Sequence, residues 1–255
     1  MKQGLAAYRA VLFDLDGVLT DTASIHADCW KQAFDDYLRQ HAARTGEPFV
    51  EFDAAGDYHD YVDGKPRYDG VRSFLASRGI ELPEGDPADP SGMDTICALG
   101  NLKNALVNET LARDGVEPYP DALRLLDTLD GSDLHLAVVS SSKNAPKVLD
   151  AAGLAQRFEV VVDGRVAAEA GLPGKPAPDT FLEAARRLGV PHGKAVVMED
   201  AISGVEAGRN GDFGLVVGVA RTGNDDALKA AGADLVVNSL EELAGTETDA
   251  GPARE

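Results

Sequence analysis

Six short apolar runs recur along the chain, each closing in a polar or glycine-containing turn. They are AVLFDLDG from position 10, LHLAVVSSS from 134, FEVVVDG from 158, KAVVMEDA from 194, FGLVVGVA from 213 and ADLVVNSL from 233. Their apolar cores span four to seven residues, are rich in valine and leucine, and show no alternation of apolar with polar positions. That pattern predicts strands buried on both faces, as in a parallel sheet. Stretches with helical patterning separate several of them: DALRLLDTLD, NAPKVLDAAGL, APDTFLEAARRLG, ISGVEAGRNG and DDALKAAG. Strand and helix alternate, so the expected fold class is α/β, with a doubly wound parallel sheet.

One region breaks the alternation. Between about residues 22 and 117 no Val/Ile-rich run occurs. TASIHADCWKQAFDDYLRQHAAR predicts an amphipathic helix with Ile25, Trp30, Ala33, Phe34, Tyr37 and Leu38 on one side. DTICALGNLKNALVNETLARDG predicts a second, and the stretch between them mixes turns with one shorter helix. The expected organisation is therefore a discontinuous α/β core, residues 1–20 and 118–243, with a helical domain inserted after the first strand at 21–117. Hinges are expected at Thr20–Thr22 and Gly115–Pro120, and a flexible polar tail at 244–255.

Composition adds exclusions. The 255 residues can bury one core plus a smaller appended domain, and 44% hydrophobic with 26% charged residues is ordinary for a globular chain. The balance of 24 basic against 43 acidic residues gives −19, which disfavours nucleic acid and anionic membrane as partners. A small anionic substrate stays open, since a local pocket can oppose the global sign. Cys29 and Cys97 make no disulfide framework, the opening MKQGLAAYRA lacks a signal peptide's apolar core, and no run approaches membrane-spanning length. A cytoplasmic monomer is the expectation.

In a doubly wound sheet, ligands bind beyond the carboxyl ends of the strands. Polar residues at those ends should converge: Asp14 and Asp16 after the first run, Ser140 to Ser142 after the second, Glu199 and Asp200 after the fourth. Lys175 lies in the restrained loop GLPGKPAPD. Four carboxylates need more counter-charge than one lysine supplies, and a hard divalent cation with oxygen ligands, Mg²⁺ where phosphate completes its coordination, meets that need. A carboxylate beside such a cation and a lysine can attack phosphorus, and a second carboxyl two residues on can move a proton to and from the attacking or leaving oxygen. The competing readings are local. Asp14 and Asp16 can cap a turn, although DLDG does not satisfy the EF-hand pattern. Glu199, Asp200 and the serines can cap helices.

The motifs DLDGVLTDT, VVSSSKN, GKPAPD and MEDAISGV, in this order, resemble the four motifs of the haloacid dehalogenase superfamily of phosphotransferases. The resemblance implies a Rossmann-like core with a helical cap inserted after the first strand. It also implies Asp14 as nucleophile, Asp16 as general acid/base, Ser140 on the phosphoryl group and Lys175 balancing charge. Mg²⁺ would be held by Asp14, Glu199, Asp200 and the Asp16 carbonyl. Within the superfamily, DGVLTDTASIHADCW, SSSKN and LGNLKN are similar to the β-phosphoglucomutases. That likeness implies Thr22 at a hinge, His26 coupling closure to the placement of Asp16, and sugar or phosphate contacts from Lys103, Ser142, Lys143 and Asn144. YVDGKPRYDG would bring Arg67 to a distal phosphate with Gly64 and Lys65 beside it, although this segment is longer than the family's usual loop. The implied function is a Mg²⁺-dependent mutase acting on a small sugar phosphate through an aspartyl phosphate. The alternative is a phosphatase of the same fold acting on small phosphate esters.

Overall fold

In the computed structural model, which describes residues 4–244, the six apolar runs are the strands of one sheet. They are β1 Ala10–Phe13, β2 His135–Val139, β3 Val160–Val162, β4 Ala195–Glu199, β5 Leu215–Val219 and β6 Leu235–Val237. All pairs are parallel, in the order β3-β2-β1-β4-β5-β6. Ala10 is level with both His135 and Ala195, so β1 sits at the centre where the strand order reverses. That reversal opens a crevice at the carboxyl ends.

β1 shows why its run is unbroken. Val11 and Phe13 face one side and join Leu125, Leu126, Val148 and Leu149. Ala10 and Leu12 face the other and join Phe181, Ala184, Val205 and Leu228. Both faces are covered, so every position along the strand is apolar.

The helices, in chain order, begin with four between β1 and β2 that lie apart from the sheet: α1 Ala23–Thr45, α2 Gly56–Tyr61, α3 Arg67–Ser77 and α4 Ile96–Asp114. Then follow α5 Pro120–Leu129, α6 Ala145–Ala151, α7 Gly164–Ala170, α8 Asp179–Leu188, α9 Ile202–Asn210, α10 Asp225–Ala230 and α11 Glu241–Ala244. α5 carries Ala122, Leu125, Leu126 and Leu129 on its buried stripe and starts with a proline at its first position. Among the described residues no helix is long and apolar enough to cross a membrane.

The middle of the helical segment holds two short helices rather than the one expected. α2 has six residues and buries only Tyr58, too little for a 3.6-residue period to register. Asp53 starts it locally, its carboxylate accepting from the Ala55 amide at 2.9 Å. α7 carries no fully buried residue and so no apolar stripe; Asp163 caps it by accepting from the Arg165 and Val166 amides. Of the expected tail, Ala244 closes α11, and the rest lies outside the described residues.

The segment from α1 to α4 has an apolar cluster of its own, formed by Trp30, Phe34, Phe52, Phe74, Ile96, Leu99 and neighbours. Phe34 is its centre, with ring centroids 4.3 Å from Phe74, 4.9 Å from Trp30 and 5.1 Å from Phe52. The two connecting chains run side by side. The Asp21 amide donates to Glu117 at 3.1 Å and the Tyr119 amide to Leu19 at 2.9 Å. Arg221, beyond β5, fixes this junction: its guanidinium stacks on Tyr119, pairs with Asp121 at 2.6 Å and donates to the carbonyls of Gly17 and Val18.

Phe34→Ala removes the hub of the separate helical cluster and is expected to destabilise the protein by about 3–5 kcal/mol. Urea denaturation checks this; an unchanged midpoint and slope would show that the cluster contributes little to stability.

Candidate active site

β1 ends at Phe13, and the chain turns at once. Gly17 adopts a φ of +88°, and its amide donates to Thr20 at 2.9 Å, folding residues 14–20 into a tight loop over the strand ends. A Cβ at Gly17 would overlap the Asp200 carboxylate. Glycine here permits both the left-handed backbone and the approach of Asp200, which follows β4. Glu199, the last residue of β4, is fully buried, and Gly204 makes room for its carboxylate.

Asp14, Glu199 and Asp200 can each turn one oxygen into a group within 4.8 Å of one another. Lys175 reaches the same place from the loop before α8. Its ammonium lies 2.5 Å from Asp14 Oδ1, 2.5 Å from Glu199 Oε1 and 3.3 Å from the Val139 carbonyl. Burial, the largest effect on Lys175, favours its neutral form, but Asp14 and Glu199 outweigh it and hold the lysine above its ordinary range. Burial pushes Asp14 well above the usual carboxylate range, with Lys175 opposing and Glu199 and Asp16 adding to the rise. Asp200 is likewise raised, first by burial and then by the charges of Asp63, Glu199 and Asp14. One ammonium does not balance these carboxylates. All-oxygen donors converging in an under-compensated pocket fit a hard divalent cation.

Asp16 stands apart from that group. Its carboxylate accepts from the Thr22 hydroxyl at the start of the helical segment, lies 3.5 Å from Ser140 Oγ, and is 3.6 Å from His26 Nε2. Lys103 Nζ is 2.8 Å from His26 Nδ1 and packs over the Trp30 ring at 4.7 Å. Where Lys103 is an ammonium it can only donate, so in that form His26 Nδ1 accepts and its proton sits on Nε2, toward Asp16. Burial, then Lys103, lowers the His26 pKa to about 4, and the imidazole is neutral at pH 7. Burial, then Arg67, lowers Lys103 to about 7.

A second polar group lies across the same cavity of about 440 Å³. The Ser142 amide donates to Ser140 Oγ and the Asn144 amide to Ser142 Oγ, both at 3.1 Å, shaping the turn into α6. From the helical segment, Arg67 donates to Asn104 at 2.6 Å and to Asn101 at 3.2 Å. Asn144 donates to the same Asn104 oxygen at 2.9 Å, so Asn104 ties the two halves of this group together. Lys143 lies over the Tyr68 ring. Gly64 meets the core directly, its carbonyl accepting from Ser141 Oγ at 2.7 Å. Lys65 lines the cavity, but its ammonium is held within the helical segment by Ser73 and the Asp60 carbonyl.

The candidate site residues singled out in the sequence thus line one cavity, except Lys175, which is buried against Asp14 and Glu199, and Thr22, which reaches the site only through Asp16. Asn104, Asp63 and Tyr58 line it too and were not anticipated. LGNLKN was noted for Lys103 alone, and YVDGKPRYDG for its cations, which left their neighbouring asparagine and aspartate unremarked. The expected cluster core position of Trp30 is only part of its place, since it also lines the cavity.

A family model for haloacid dehalogenase-like hydrolases matches residues 8–212. A β-phosphoglucomutase of Mycobacterium tuberculosis is 52% identical over 238 residues, 92% of this chain and 91% of the relative. Among solved structures, a β-phosphoglucomutase from Clostridium difficile superposes with a TM-score of 0.72 at 25% identity, covering 92% of this chain and 93% of its own. A hydrolase from Pseudomonas syringae gives 0.72 at 26%, covering 93% and 97%.

Lys103 supplies a test of the site's electrostatics. Its folded pKa of about 7 lies below the ordinary lysine value of 10.5. The unfolded chain therefore binds more protons in that window, and stability contributed here rises with pH from about 7 toward 10.5. Lys103→Met is expected to melt at higher temperature than the parent near pH 7 and to flatten the rise toward pH 9. Thermal melts across that range check it; identical pH slopes would contradict the burial of this ammonium.

Proposed function

The chain belongs to the haloacid dehalogenase-like hydrolase family, and within it we propose a β-phosphoglucomutase that interconverts β-D-glucose 1-phosphate and glucose 6-phosphate through the 1,6-bisphosphate. It is an enzyme of the phosphotransferase or isomerase type. The observation that carries the finer reading is the two-ended cavity. A carboxylate–lysine cluster lies at the sheet crest, and a second polar group, built from both core and helical segment, carries Arg67 and Lys143. A bisphosphate that must be gripped at either end suits such a cavity, whereas simple ester hydrolysis needs only the first. The same proposal takes residues 1–20 and 118–243 as the core and 21–117 as a closing cap.

Asp14 acts as the nucleophile. Lys175 holds its Oδ1, so we assign the attack to Oδ2. The new P–O bond forms at Asp14 as the bond from phosphorus to the sugar oxygen breaks, and Asp16 gives that oxygen its proton. In the return direction Asp16 takes the proton of the incoming sugar hydroxyl, which attacks the aspartyl phosphate and restores the Asp14 carboxylate. Asp14, Glu199, Asp200 and the Asp16 carbonyl would hold a divalent cation, Mg²⁺ in this reading, which would supply positive charge to the phosphoryl group. Ser140 donates to the transferring group, and neutral His26, with its Nε2 proton facing Asp16, orients that acid. Arg67, Lys143, Asn144 and the Ser142 turn receive the other phosphate, with Gly64 shaping the rim and Lys103 facing the sugar. Closure excludes water, which would otherwise hydrolyse the acyl phosphate.

The test is a coupled assay with Mg²⁺, β-glucose 1-phosphate and a trace of the β-1,6-bisphosphate, following glucose 6-phosphate and free phosphate together. Fast glucose 6-phosphate with little free phosphate is expected. Free phosphate without isomerisation would make the chain a sugar phosphatase.

A further inference from the structure

The helical segment touches the carboxylate end of the cavity through the loop that follows α2. The Asp63 carbonyl accepts from Ser203 Oγ at 2.9 Å, and the Gly64 carbonyl accepts from Ser141 Oγ at 2.7 Å. Gly64 has a φ of +69°, and a Cβ there would overlap Ser203 Oγ and come within 3.1 Å of the Ala201 Cβ. Asp63 is thereby seated beside residues 200–203, directly after β4. Its side chain is 13% exposed and lines the cavity, with His59 Nδ1 3.2 Å from its Oδ2.

We propose that Asp63 makes closure of the helical segment onto the core conditional on a divalent cation in the Asp14–Glu199–Asp200 cluster. The proposal rests on the reading that this cluster holds such a cation. Asp14, Asp16, Glu199, Asp200 and Asp63 all face one cavity, and the ammonium of Lys175 is committed to Asp14 and Glu199. Four of these carboxylates belong to the core and are present whatever the helical segment does. The fifth arrives only when the Asp63–Gly64 loop docks. Without a cation, docking presses one more negative charge toward Asp200, because Ser203 holds the Asp63 carbonyl and Gly64 packs against Ala201 and Ser203 just beyond it. With a divalent cation seated, the surplus on the four core carboxylates and Lys175 falls from three negative charges to one, and docking of the same carboxylate costs far less. Asp63 touches no reacting atom in this scheme; it is a positioning residue that reports cation occupancy to the closing segment.

Linkage requires the reverse effect as well: if the cation favours closure, closure tightens the cation. Asp63→Asn keeps the shape of the side chain and removes its charge. The experiment measures Mn²⁺ affinity by electron paramagnetic resonance and the radius of gyration by small-angle X-ray scattering with and without Mg²⁺, both without substrate. Wild type is expected to compact on adding Mg²⁺. Asp63→Asn is expected to lose that response and to bind Mn²⁺ on the order of tenfold more weakly. Asp63→Ala serves as the second variant, with thermal melts confirming that both fold.

Equal Mn²⁺ affinity in wild type and variants, or equal compaction, overturns the role of Asp63 while leaving the cation site and the mutase reading intact. Wild type that binds no Mn²⁺ overturns the cation site and, with it, this proposal. Neither result depends on which sugar phosphate the enzyme turns over.

Discussion

Carboxylates converging at the crest of a parallel sheet are an electrostatic problem that the rest of the structure answers. Two like charges about 4 Å apart repel by about 4 kcal/mol at an effective dielectric of 20, and burial adds to that penalty. Asp14, Glu199 and Asp200 gather within 4.8 Å, and Lys175 bridges only two of them. The apolar sheet holds them there. β1 and β4 are neighbours in register, both buried along their length, so their terminal side chains have little room to separate. Charge must come from outside to complete the cluster, and a divalent cation with a phosphoryl group is the chemistry such a site accepts.

The loops beyond the strands serve the same arrangement. Gly17 and Gly204 have no side chains where Asp200 and Glu199 must sit. Arg221 ties the carbonyls of Gly17 and Val18 to Asp121 and Tyr119, fixing the loop after Asp14 to the point where the chain returns from the helical segment. Thr22, at the outgoing connection, donates to Asp16. One hydrogen bond therefore joins the outgoing connection to the Asp16 carboxylate. The carboxylate end is built from the sheet and its loops, and the side chains carried in from residues 23–114 complete the other end of the cavity.

Much of this was legible in the sequence because the signals are local. A strand buried on both faces appears as an unbroken apolar run, and all six runs became strands. Carboxylates placed directly after such runs meet at the crevice, which is why Asp14, Asp16, Glu199 and Asp200 were named together, although the Asp16 carboxylate turns away from the other three toward Thr22. α2 and α7 escaped because neither carries a buried stripe of helical period. Asp63 and Asn104 escaped for a different reason. Their significance lies in contacts across chain separations of 140 residues to Ser203 and 40 to Asn144, and no spacing rule within a single stretch encodes them. Lys65 looks like a phosphate ligand by charge alone, yet its partners are Ser73 and the Asp60 carbonyl.

On the proposed function, the crowded cluster accepts a phosphoryl group on Asp14. The direct measurement is to incubate the enzyme with Mg²⁺ and β-glucose 1,6-bisphosphate, quench, reduce with borohydride, and map the modified residue by peptide mass spectrometry. Reduction of an aspartyl phosphate leaves homoserine, and the account predicts it at position 14 and not at position 16. Homoserine at position 16, or an unmodified peptide despite turnover, would contradict the account.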